Sequence, residues 1–473
     1  MGFEYAADGA KGKPQERPAL ERMSTGNVEL DTIMEGGFPA HSINILMGEP
    51  GSGKTILAQR LIFANADDSG RPILFFTTLS EPADKVVRYL QQFSFYDESK
   101  LGSSIHYSSI GQELAEEGVG ALVKILKEAI TTQRPKIIVI DSFKAIHDLS
   151  TSMPEMRRML YEVAGLLTAY ETTAFFVGEY STDQISTYPE FAVADSMVEL
   201  ARNKLGTRDE RFLRVLKLRG SSYREGLHGF RITSDGLEVF PRLVSPDTPP
   251  MYELLKERVP TGIAGLDKML DGGLFRGRST FVLGQTGAGK TTLAMQFTME
   301  GFRRGEPCMY VSFEENPTQL EAQLNTLGLE MQDARERGLH FLYVSPVELQ
   351  IDSIVATLYR TMKETGIRRL VVDAVGDLLM STDDIKRLHG YLYALAQHFA
   401  VQGVTSIFTY ETFGKELFTE TRMSALADNI LLLGLRLEGR QARRTLRVIK
   451  ARGIPHDLNE HDLNITSHGV EVV

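Results

Sequence analysis

The stretches "MGEPGSGKT" (Met47–Thr55) and "LGQTGAGKT" (Leu283–Thr291) decide the fold. Gly48, Gly53, Lys54 and Thr55 satisfy the spacing G-x-x-x-x-G-K-[ST], and Gly284, Gly289, Lys290 and Thr291 satisfy it again. Such a turn bares successive backbone N–H groups to phosphate oxygens. The lysine reaches the terminal phosphates and the hydroxyl serves Mg²⁺. The expected nucleotide contacts are Gly48, Gly51, Ser52, Gly53, Lys54, Thr55 and Ile56 in the first loop. In the second they are Gly284, Thr286, Gly287, Ala288, Gly289, Lys290, Thr291 and Thr292. The apolar run "INIL" reads as a buried strand entering the first loop and "TILAQRLIFA" as the helix leaving it; "STFVL" and "TTLAMQF" repeat that order. Two matches in matching contexts exclude a chance glycine turn.

The repeat reaches well beyond the loops. "RMSTGNVELDTIMEGG" (Arg22–Gly37) lines up with "RVPTGIAGLDKMLDGG" (Arg258–Gly273), sharing Thr25/Thr261, Gly26/Gly262 and Asp31/Asp267. Downstream, "LRVLKLRG" matches "LRVIKARG", and "ITSDGLEVF" matches "ITSHGVEVV". A repeat of this length is domain-sized and can enclose its own core. The expected organisation is a disordered tail at 1–18, domains at 19–243 and 257–473, and a Pro-rich polar linker at 244–256. In each copy short apolar strands, "ILFFTT", "KIIVIDS" and "TTAFFVGE", then "CMYVSF", "RRLVVDA" and "TSIFTYE", alternate with helical periodicity. That order predicts two α/β domains, each a mostly parallel sheet flanked by helices.

Composition excludes several classes. A formal net charge of -10 argues against a surface that coats nucleic acid, and Cys308, the one cysteine, permits no intramolecular disulfide. No run is apolar and long enough to span a bilayer and no signal-like segment follows the start, so a soluble cytoplasmic protein is expected.

Asp141 and Asp373 each end an apolar strand, "IIVID" and "LVVD", where a carboxylate beside the phosphate loop holds Mg²⁺ through water. With Thr55 and Thr291 they form the expected metal sites. An Asp at a strand end is more often a turn residue, but two copies behind two phosphate loops favour the metal role. In "SFEENP", Glu314 and Glu315 are placed to orient or deprotonate the attacking nucleophile. The first copy has Leu79 and Ser80 opposite that pair and Glu81 one place later, so the two sites differ in their acid. Lys217 with Arg219, and Lys450 with Arg452, lie two apart on strands and share a face, with Leu216 and Leu218 packing inward. Repeated in both copies, these cations read as a clamp on phosphate delivered to a neighbouring subunit, joined by Arg211 and Arg444, and a ring-shaped oligomer follows.

As a set, the tandem "T-G-x-x-x-L-D…GG…G-x-x-x-x-G-K-T" segments, the "SFEENP" acids, the two "K-x-R-G" strands and the "ITSDG" ending resemble the KaiC family, the tandem RecA-like ATPases of the bacterial circadian system. The resemblance covers about residues 19–473. It implies a double-ring homo-hexamer with ATP at subunit interfaces, slow hydrolysis in the first ring, and Mg²⁺-dependent autophosphorylation and dephosphorylation in the second.

Departures from the family pattern sharpen the expectation. Where family members carry adjacent Ser and Thr acceptors, this chain has Ser424 followed by Ala425, leaving Ser424 as the expected acceptor and Thr419 as the reserve. The chain ends at Val473 without the further tail that receives KaiA, so KaiA-type regulation is not expected, while a KaiB-like partner on the first ring stays open. Two other classes compete. One is a RecA-like DNA-handling ATPase, prompted by seven cations against one acid in "RLEGRQARRTLRVIKAR" (Arg436–Arg452). The other is an ATP-gated signalling scaffold with negligible turnover.

Overall fold

Every residue of the strand Ile43–Gly48 is buried, and so is every residue of Ser279–Gly284. Both are covered on two faces, which is what an uninterrupted apolar run demands. Alternate side chains go to opposite cores: Leu46 joins Phe75, Val139 and Phe175 on one side, while Ile45 and Met47 join Phe76, Ile138 and Ile140 on the other. In the second domain Val282, Tyr310 and Val371 pack on one side and Phe281, Leu283 and Val372 on the other. Each fully buried large apolar side chain contributes about 1.5–3 kcal/mol, so both sheets are clamped from two sides.

The computed structural model of the protein describes residues 20–67, 70–78, 83–205, 208–246, 256–326, 331–345, 350–380, 384–412, 426–439, 441–466 and 469–473. The tail at 1–18, most of the linker, Glu81, Thr419 and Ser424 lie outside them. The chain divides into two compact units at Pro241/Arg242. Val244, the first residue of the expected linker, is held to the second unit by a 2.9 Å contact between its carbonyl and His398 Nε2.

Each unit holds a nine-stranded sheet with one strand order. In the first it runs Ile105–Ser109, Ile73–Thr77, Ile137–Asp141, Thr173–Gly178, Ile43–Gly48, Ser196–Leu205, Arg208–Leu218, His228–Thr233, Gly236–Phe240. In the second it runs Leu339–Tyr343, Cys308–Ser312, Arg369–Asp373, Thr405–Glu411, Ser279–Gly284, Asn429–Glu438, Gln441–Ala451, His461–Thr466, Gly469–Val472. Pairing is parallel across the first six strands of each series. Antiparallel hairpins extend the far edge. These are two tandem RecA-like α/β domains. A parallel sheet sends all its carboxyl ends to one edge, where ligands of open α/β folds bind.

The shared "T-G…L-D…GG" segment turns out to be scaffolding. Asp31 Oδ1 accepts from the Thr25 backbone N–H at 2.8 Å, and Asp267 Oδ1 from that of Thr261 at 2.7 Å. The helix after the second loop is then tied to the closing hairpin: Gln296 donates to the Gly262 carbonyl at 2.7 Å and accepts from the Val470 N–H at 2.6 Å. In the first domain Asn27 donates to the Leu237 carbonyl at 2.6 Å.

Candidate functional site

Gly53 caps the helix Lys54–Asn65 with φ 103, and Gly289 caps Lys290–Arg303 with φ 102, a left-handed conformation that costs glycine nothing. Gly48 has a steric reason as well: a Cβ there would lie 1.9 Å from the Leu200 carbonyl oxygen on the neighbouring strand. The two loops therefore place unpaired helix N–H groups and a helix N-terminus at the carboxyl edge of the central strand, the arrangement that receives phosphate.

The loop lysines turn back onto their own loops. Lys54 Nζ donates to the Glu49 carbonyl at 2.8 Å; Lys290 Nζ donates to those of Gly284 and Gln285, each at 3.0 Å. Burial lowers the Lys54 ammonium below its usual range, opposed by Glu179, Asp141 and Glu49. Burial lowers Lys290 likewise, opposed by Glu411, Asp373 and Glu314. A polyanion delivered here restores what each ammonium lost on leaving water.

The two strand-end aspartates differ in their partners. Thr55 Oγ1 donates to Asp141 Oδ2 at 2.7 Å, joining the expected metal ligands of the first site directly. Asp373, only 7% exposed, accepts from Tyr310 OH at 2.7 Å and from Thr409 Oγ1. Phe75 and Val177 occupy the equivalent places in the first sheet. Tyr310 is fully buried, and burial, reinforced by Asp373, raises its phenol well above the usual range.

The donor set fits Mg²⁺. A threonine hydroxyl and one carboxylate per site are hard oxygen ligands, and among the described residues no cluster of three or more His, Cys, Asp or Glu is placed to cage a metal unaided. Mg²⁺ is commonly held this way, by one or two protein oxygens with water and substrate phosphate completing the octahedron. The Ser52 hydroxyl is buried in the first loop and has no hydrogen-bond partner among the described residues.

Acids crowd the second loop. Burial raises Glu314 above the usual carboxylate range, helped by Asp377, Asp373 and Glu411 and opposed by Lys290. Burial raises Asp377 as well, with Asp373 and Glu411 adding to it against a backbone hydrogen bond at Ala374. Glu315 is anchored through its backbone N–H to Ser312 Oγ at 2.9 Å. Thr286 of the loop donates to Glu411. Glu179 and Glu411 close "TTAFFVGE" and "TSIFTYE", the same strand-end position that singled out Asp141 and Asp373, yet sequence reasoning assigned them no role. Asp377 and Tyr310 were missed for want of any spacing signal.

The expected clamp residues divide. Arg444 Nε donates to the Gly287 carbonyl of its own loop at 2.9 Å. Arg219 pairs with Asp195 at 3.1 Å, Arg452 with Asp428 at 3.6 Å, and Lys450 Nζ donates to the Ala427 carbonyl at 2.6 Å. Both arginine side chains stay more than half exposed, at 59% and 58%. Burial lowers Lys217 with Arg219 adding to it and Asp195 opposing; Lys450 is lowered by burial and Arg452 against Asp428. Simple alternation is broken in the second copy. The register shifts between the pairs Ile430↔Lys450 and Leu431↔Val448, leaving Ile449 as a bulge, 45% exposed. Val448 and Ala451 are both buried, and the bulge carries Lys450 and Arg452 together onto the outer face. Leu218 packs inward as expected, but Leu216 packs, half-buried, against the core on the other side of the sheet.

Among the described residues no helix is long and apolar enough to cross a membrane. The KaiC ATPase family model matches residues 23–244 and again 259–473. The chain is 27% identical over 463 residues to the circadian clock oscillator protein KaiC of a Picosynechococcus species, spanning 94% of this chain and 88% of that protein. It is 25% identical over 479 residues to KaiC 1 of a Synechocystis species, spanning 96% and 90%, and 27% identical over 463 residues to KaiC of Acaryochloris marina, spanning 93% and 86%. Two tandem matches, each containing one phosphate loop, one strand-end aspartate and one K-x-R-G strand, place the chain in the KaiC family of ATPases.

Proposed function

We propose that this protein is a Mg²⁺-dependent ATPase that assembles as a homo-hexamer, hydrolyses ATP in its first domain and phosphorylates itself on Ser424 in its second. The observation that carries the reading is the cluster of carboxylates at the second phosphate cradle. In the first, Asp141 sits on the loop threonine. In the second, Asp373, Asp377, Glu314 and Glu411 act on one another around Lys290. A site crowded with carboxylates suits abstraction of a hydroxyl proton, as transfer to a serine requires.

In the second domain the γ-phosphoryl group passes from ATP to the Ser424 oxygen. The bond to the β-phosphate breaks, ADP leaves, and the serine proton goes to Glu314 or Glu315. Bound Mg²⁺ supplies charge neutralisation at the phosphates. Lys290 and the loop N–H groups bind and orient the phosphates, while Lys217 with Arg219 and Lys450 with Arg452 complete a neighbouring subunit's site. Glu81 serves as the acid of the first site. The relatives are circadian clock proteins by name. We extend that timing role to this chain, with a KaiB-like partner on the first ring.

One incubation with Mg²⁺ and labelled ATP, scored for ADP and for protein-bound phosphate, tests the reading. ADP release together with one phosphate, lost in Ser424→Ala and in Lys290→Ala, is expected. Undiminished labelling of Ser424→Ala with Thr419 unmodified removes the acceptor assignment. ADP without any labelling leaves an ATPase alone, and neither product leaves a scaffold.

A further inference from the structure

The two domains share strand order, loop and strand-end aspartate, yet that aspartate is supported from opposite sides. In the first it is bonded to the loop threonine. In the second it is bonded to two hydroxyls rising from the strands on either side of its own: Tyr310 from Cys308–Ser312 and Thr409 from Thr405–Glu411. Tyr310 and Thr409 are both completely buried, at 0% exposure. A hydroxyl is placed in a sheet interior at a cost unless an acceptor meets it. The first sheet does without either hydroxyl, with Phe75 and Val177 at those places. The pair is therefore no requirement of the fold.

We infer that Tyr310 and Thr409 are positioning residues that hold the Asp373 carboxylate for a Mg²⁺–nucleotide at the second site, two donors that Phe75 and Val177 cannot supply in the first. The inference rests on the proposed Mg²⁺–ATP reading of that site. The physical content is preorganisation. A carboxylate fixed by two donors presents its remaining lone pairs in one orientation. In the first site Thr55 donates its proton to Asp141, and that bond must open or re-form around water before both oxygens can serve one cation. Outer-sphere donors of this kind are commonly worth 10–100-fold in metal affinity.

The test uses the full chain carrying Lys54→Ala, so that only the second loop binds nucleotide. Fluorescent mant-ADP is titrated first in EDTA and then with rising Mg²⁺. Tyr310→Phe and Thr409→Val copy the residues of the first domain, so their shapes are accommodated in this sheet architecture. Each variant is expected to keep its mant-ADP affinity in EDTA and to need about 10–100-fold more Mg²⁺ for half of the gain in affinity. An unmoved Mg²⁺ midpoint in both variants overturns the inference and leaves the nucleotide reading standing. Loss of mant-ADP binding in EDTA as well, in both variants, assigns the hydroxyls to structure and overturns it too. A parent protein whose binding ignores Mg²⁺ overturns the inference together with the reading on which it rests.

Discussion

Arg369→Ile should destabilise the second domain by about 3 kcal/mol while leaving the first unchanged. Arg369 opens the strand that ends in Asp373, and its side chain is wholly buried. Its Nε donates to Glu306 Oε2 at 2.6 Å, and its Nη1 donates to the carbonyls of Pro260 at 2.8 Å and Phe297 at 3.1 Å. Removing one partner of a buried pair costs about 3–5 kcal/mol. Arg276, 2.7 Å from Glu306, keeps that carboxylate partly paired and sets the expectation at the lower end. Isoleucine is the residue the first sheet carries at the same place, Ile137, so the backbone accepts it. For a domain of this size the loss corresponds to roughly 6–12 °C in Tm. The chain has no tryptophan, so a single Tyr359→Trp substitution at a half-buried position reports the second domain alone. The pH dependence supplies an independent sign. Burial raises the Glu306 carboxyl, but hydrogen bonds from Arg276 and Arg369 outweigh it and hold the group below its usual range. A depressed carboxylate contributes stability that is complete above the unfolded value of about 4.3 and is lost as pH falls through the folded one. The gap between wild type and Arg369→Ile should therefore narrow in that acid window. A Tm shift under about 2 °C at neutral pH, or a gap that widens in acid, refutes the reasoning.

Four further outcomes are expected. Lys54→Ala and Lys290→Ala should each halve nucleotide stoichiometry, read by equilibrium dialysis with radiolabelled ATP, and two sites surviving in either variant would contradict the loop assignment. With ATP and Mg²⁺ the protein should run as a particle of about 316 kDa, six times 52.7 kDa. Lys217→Ala or Arg219→Ala should slow turnover, whereas a fully active monomer would remove the clamp between subunits. Glu81→Gln should cut steady-state ADP production, and Glu314→Gln with Glu315→Gln should block protein phosphorylation, each by about 10²–10⁴-fold. The reverse division would exchange the roles of the two domains.

The loops, the strand-end aspartates and the doubled α/β architecture were legible because each is encoded locally, by spacing or by an uninterrupted apolar run. Glu411 was equally local and went unread, since a carboxylate gains meaning only once the sheet sets its strand end beside Lys290. Tyr310 was out of reach of pattern. In "CMYVSF" a tyrosine reads as an ordinary strand residue, and its acceptor lies far along the chain on a strand that becomes its neighbour only through the parallel topology. The clamp shows the limit of alternation, since a one-residue bulge at Ile449 reverses the phase just before Lys450. The Asp partners of the clamp, Asp195 and Asp428, were likewise visible as letters but not as neighbours.

The bond from Asn27 to the Leu237 carbonyl, and the close seat of Gly265 against Val472, join the opening helix of each repeat to its final strand. Each copy is thus a closed cassette whose two ends meet. Such a unit can be copied head to tail in one genetic event without severing an internal contact, since the new junction falls outside the packed ends. Once doubled, each cassette keeps its own edge, loop and strand-end acid, and is free to drift toward a different chemistry while its twin preserves the first.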